Sequence, residues 1–72
     1  MDAQETTRRL NEAEERCAWA WRHLMYLRDS ELYDYEIEDQ YRIALREYQQ
    51  AQQEVLKARY AAAVYRPELL AA

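Results

Sequence analysis

From Ile37 to Tyr65 the apolar residues fall at Ile37, Tyr41, Ala44, Tyr48, Ala51, Val55, Ala58, Ala62 and Tyr65, in alternating steps of four and three without a slip. Steps averaging 3.5 residues hold side chains on one stripe of an α-helix, whereas a strand turns its faces over every second residue. The seam therefore predicts a helix, and its regularity is that of a coiled-coil contact. A shorter seam precedes it at Leu10, Ala13, Cys17, Ala20, Leu24 and Leu27. The two do not share a phase. Continuing the first past Leu27 would put Glu31 and Asp34 in the core, and reaching Ile37 takes a step of three where four is due. Two acids on a seam and a phase slip mark a break.

The break divides the chain into a helix over 3–28, a connection near 29–33 and a second helix over 33–65. Asp29 and Ser30 are N-capping residue types, and Glu31 would sit in a first turn, where the helix dipole favours an acid. The rival is one continuous bent helix in a long coiled coil. Small residues favour the hairpin. Ala44, Ala51 and Ala58 recur every seven residues in the second helix, with Ala13 and Ala20 in the matching role in the first. Alanine at that spacing lets two backbones approach closely, and a short connection makes them antiparallel. Pro67 pushes its predecessor out of the helical region and ends the second helix, leaving a 67–72 tail in which Leu69 continues the heptad count.

Composition closes off other folds. The chain of 72 residues has no Gly, one Pro and one Ser, so the corners of a β or α/β domain and any Gly-rich phosphate loop are missing. A lone Cys makes no internal disulfide, and no Cys/His cluster suggests a structural metal. Small domains without such staples gain stability by associating. The expected fold class is therefore all-α: an antiparallel two-helix hairpin over 1–66 with an Ala-rich seam, dimerising into a four-helix bundle.

The formal charge of −4 argues against nucleic acid, which calls for a basic surface. Its distribution says more: residues 1–28 are neutral, 40–72 carry +2, and 29–39 carry −6. The opening residues MDAQETTRRL are polar, and the most apolar stretch, 17–27, is broken by Arg22 and His23 and falls far short of the ~20 residues of a membrane span. A cytoplasmic protein with no membrane contact is expected.

Chemistry-bearing residues are few. His23 has Trp19, Ala20, Tyr26 and Leu27 as its helical neighbours, so no base pair or metal set forms on its own helix. Cys17 lies on the seam, where a thiol behaves as a small hydrophobe. Glu31, Asp34 and Glu38 share a face but lack the alternating ligands and turn glycine of a calcium loop, and read as a solvated acidic patch able to steer a basic partner. Neither an enzyme nor a cofactor or metal site is expected. Glu5–Arg9, Glu12–Arg16 and Glu38–Arg42 are spaced for i,i+4 ion pairs.

The segment 17–27 stands out because nine of its eleven residues are apolar or aromatic and they surround the helix. One facing helix covers a stripe containing Cys17, Ala20, Trp21, Leu24 and Leu27, leaving Trp19, Met25 and Tyr26 outside. Leu45, Leu56, Tyr60 and Val64 form a second uncovered stripe on the other helix. Aromatics and Met are enriched at protein contacts. The leading expectation is thus a small non-enzymatic binding module (adaptor, co-chaperone or inhibitor). It would cover a partner protein with Trp19, Arg22, Met25, Tyr26 and the acidic Glu31, Asp34 and Glu38. The alternatives are a self-assembling structural bundle and a bundle binding a ligand or metal through His23 and facing acids.

Overall fold

The computed structural model describes residues 2–30 and 35–70, all helix and turn with no strand among them. Helix α1 spans Ala3–Arg28 and α2 spans Tyr35–Ala63. A 3-10 turn, η1, covers Pro67–Leu70. The two helices lie side by side along most of their length, so the chain is a hairpin and not one continuous helix. It is antiparallel: Leu24 and Leu27 pack with Ala44 near the connection, while Thr6 and Ala13 share a groove with Ala58 and Ala61 at the open end.

Both seams face the interior. Leu10, Ala13, Leu24, Leu27, Ala44 and Ala62 are buried, and Cys17, Ala20, Ile37, Tyr41, Tyr48, Ala51, Val55 and Ala58 are half-buried. Ala44 is 1% exposed because the backbones meet there, and the larger Tyr41 and Tyr48 on either side pack round the Leu24–Leu27–Ala44 cluster. The ends of α1 are closed locally. Asp2 accepts a 2.7 Å hydrogen bond from the Glu5 backbone N–H, and the Thr6 hydroxyl donates to the Ala3 carbonyl at 3.0 Å.

Asp29 and Ser30 end the described part of the first helix, and the start of the second, which they are expected to cap, lies outside the described residues. The Asp29 N–H donates to the Met25 carbonyl at 3.0 Å and the Ser30 N–H to the Leu27 carbonyl at 3.3 Å, closing the last turn of α1. Asp29 leaves the helix at φ −88° and ψ 3°, a sparsely populated region, and no described residue takes a positive φ. A helix exit through this region needs no glycine. Helix α2 stops at Ala63, short of 65. The Tyr65 and Arg66 N–H groups both donate to the Ala62 carbonyl at 3.0 Å, leaving Val64 and an exposed Tyr65 in a turn before Pro67. Turn η1 then contacts α2, with Leu69 half-buried.

The molecule is one helix thick, with principal extents of 47 × 22 × 13 Å. Its radius of gyration of 15.4 Å compares with about 11 Å for a compact domain of this length. No helix among the described residues is long and apolar enough to cross a membrane.

Candidate functional site

A two-helix layer has two broad faces, and the register of the hairpin decides what stands on each. On the first face, Ala20 and Ala51 form the floor of an open trough of about 840 Å³. Its α1 wall carries Arg16, Trp19 and His23, and its α2 wall carries Glu47, Gln50 and Glu54. The trough exists because two small residues face each other where larger ones would fill the space. Trp19 is 63% exposed, and the Arg22 guanidinium lies 5.5 Å from its ring centroid, a cation–π contact that holds the indole. Tyr26, seven residues on and therefore on the same row, is 75% exposed.

The opposite face carries a second, mixed groove. There Cys17 shares a groove with Gln49, Gln52, Gln53, Val55 and Leu56. The Trp21 ring packs on Tyr48 at 5.2 Å between centroids, and the Gln52 amide donates to the Tyr48 hydroxyl at 3.0 Å. Trp21 remains 46% exposed and Leu56 51%.

Of the expected partner-binding residues, Trp19, Arg22 and Tyr26 stand exposed on α1. Met25 does not stay outside. It is half-buried and packs against the Leu24–Leu27–Ala44 cluster, which its flexible thioether side chain can follow. Leu45 likewise packs on this cluster. Glu38 is half-buried and accepts from Arg42 at 2.9 Å. Glu31 and Asp34 lie outside the described residues. Of the other expected ion pairs, Glu5–Arg9 forms at 3.1 Å. Glu12 is held by Arg8 at 3.0 Å in place of Arg16, which lines the trough instead.

His23 shares the trough with Glu47 and Glu54, so acids do stand on the facing helix. Among the described residues, however, no three His, Cys, Asp or Glu side chains converge to hold a metal ion. Cys17 is a free, half-buried thiol.

The chain exposes 5877 Å². A compact monomer of 8.8 kDa exposes about 4,800 Å², so the hairpin carries about 1,100 Å² more surface than a globule of its mass. That excess lies in the two broad faces. What the arrangement does chemically is present surface: two grooved helical faces, each bearing aromatic side chains. Comparison with protein-family models, with curated proteins and with solved structures finds no match for this chain.

Proposed function

We propose that this protein is a small, non-enzymatic protein-binding module, an adaptor, co-chaperone or inhibitor, whose hairpin is completed by further helices. The observation that carries the reading is the pair of exposed aromatic rings, Trp19 and Tyr26, on one row beside an Ala-floored trough. Trp and Tyr dominate binding energy at interfaces because they bury large area at little entropic cost. The trough gives a partner side chain somewhere to go. Its walls are of opposite charge, Arg16 against Glu47 and Glu54, and this orients a partner that brings the complementary pair. Glu38 at the connection end adds an acid that favours a basic partner surface.

Association of two hairpins into a four-helix bundle belongs to the same reading. The excess of about 1,100 Å² is larger than the ~800 Å² that one partner of a standard interface buries. The test is capture of partners from the organism that encodes the chain, using wild type and the Trp19→Ala/Tyr26→Ala double variant in parallel. A specific protein retained by wild type and lost by a variant of unchanged melting temperature supports the reading. Equal capture by both removes these rings from the binding surface.

A further inference from the structure

The two broad faces differ in how charge is placed round their centres. On the Cys17 face the outer row of α1 is Glu14, Trp21 and Arg28, and that of α2 is Glu38, Leu45, Gln52 and Arg59, each seven residues apart. Each row runs from an acid through an uncharged middle to a base. The midpoint of the first row is Trp21, and that of the second falls between Tyr48 and Gln49. In the folded hairpin those midpoints stand side by side, since Trp21 packs on Tyr48 at 5.2 Å. The two rows are thus centred on one point, although they lie on different helices.

From this we propose that a second copy of the chain covers the Cys17 face, related by a two-fold axis that crosses the helices at the Trp21–Tyr48 contact. The inference rests on the reading that the hairpin is completed by further helices, and it names the occupant of one face. Rotation about that axis sets α1 antiparallel on the partner's α1 and α2 on the partner's α2. Glu14 then faces Arg28 of the second copy, and Glu38 faces its Arg59, each pair occurring twice by symmetry. Within the hairpin Glu14 and Arg59 form no ion pair among the described residues. Arg28, by contrast, is held by Asp29 at 3.2 Å and Glu38 by Arg42 at 2.9 Å, surface pairs that a second copy would extend into three-membered networks. The centre of the interface is uncharged, formed by Trp21, Leu45 and Leu56 with the Cys17 groove between the helices, in which Val55 and Leu56 alternate with Gln49, Gln52 and Gln53. Depletion of charge at the centre, with the charged residues at the rim, is the anatomy of an interface, and the excess surface is enough to supply it.

The Trp19–Tyr26 face is different. Its trough sets Arg16 and His23 along one wall and Glu47 and Glu54 along the other, with no acid-to-base row centred on that same axis. It stays outward in the dimer. The assembly therefore presents two Trp19–Tyr26 faces on opposite sides and is bivalent for a protein partner.

Sedimentation equilibrium on the full chain tests this, from about 1 μM to 1 mM, the range over which weak dimers dissociate. Wild type is expected to be dimeric. Leu56→Arg, which puts a charge into the uncharged centre, is expected to weaken the dimer by roughly tenfold or more, and Trp19→Glu to leave it unchanged. Glu14→Arg, which opposes two cations twice over, is expected to weaken it by roughly tenfold. Adding Arg28→Glu in the same chain restores the dimer, whereas adding Arg59→Glu does not. Circular dichroism on each variant checks the fold, and should Leu56→Arg lose helicity the exposed Glu14 series decides alone. Dissociation by Trp19→Glu but not by Leu56→Arg, or rescue by Arg59→Glu and not by Arg28→Glu, overturns the proposed face or axis while leaving the bundle. A wild-type monomer throughout removes the bundle itself.

Discussion

Replacing Leu24 by Ala probes the one cluster that closes the hairpin. Leu24 is 3% exposed and packs with Leu27 and Ala44, while Met25, Tyr41, Leu45 and Tyr48 stand half-buried around them. The substitution removes three buried carbon groups, about 2.4 kcal/mol of transfer free energy at ~0.8 kcal/mol each. The vacated space is about 80 Å³. Met25 and the partly exposed tyrosines are able to move in, so we take about half of it as a lasting cavity, which adds ~1 kcal/mol at ~24 cal/mol per Å³. The expected loss is therefore about 3 kcal/mol, against a total of about 4–11 kcal/mol for a chain of this length. For a small domain it lowers Tm by roughly 12–24 °C. Far-UV circular dichroism with urea and with heat measures it, at one fixed protein concentration because association shifts apparent stability. A loss below about 1 kcal/mol would refute the reasoning, since it means Leu24 is not enclosed.

The remaining predictions concern the surfaces and the local structure. Trp19→Ala, at a position 63% exposed, should cost the fold under about 1 kcal/mol but weaken partner binding by ~1–3 kcal/mol, measured by melting and by titration with the captured partner. Met25→Ala should lower Tm distinctly more than Trp19→Ala, because Met25 packs on the core; equal melting curves would contradict that packing. Asp2→Ala removes the acceptor of the 2.7 Å bond from Glu5 N–H and should cost up to about 1 kcal/mol, read from urea midpoints. Helices of 26 and 29 residues in a chain of 72 predict a dichroism spectrum of about three-quarters helix, well above the ~30–35% of ordinary domains.

What the sequence determined by itself was the identity of the helices and the stripe each one buries. Helical periodicity is a property of a single segment, so the steps of three and four from Leu10 to Leu27 and from Ile37 to Ala62 could be read without knowing any neighbour. The exposure of Trp19 and Tyr26 followed from the same count, because they lie outside the stripe. Tertiary structure decided whatever depends on two segments at once. Met25 packs on the cluster of Leu24, Leu27 and Ala44, and nothing in the spacing of α1 announces which residue of α2 stands opposite. The closing of α1 runs through the backbone N–H groups of Asp29 and Ser30 to the carbonyls of Met25 and Leu27, a use of these two residues that their side-chain types do not announce. Arg8 holds Glu12, while Arg16 lines the trough. The centring of the two charge rows on the Trp21–Tyr48 contact required the register between the helices. That register is set by how Leu24 and Leu27 seat against Ala44, a packing geometry that neither helix encodes alone.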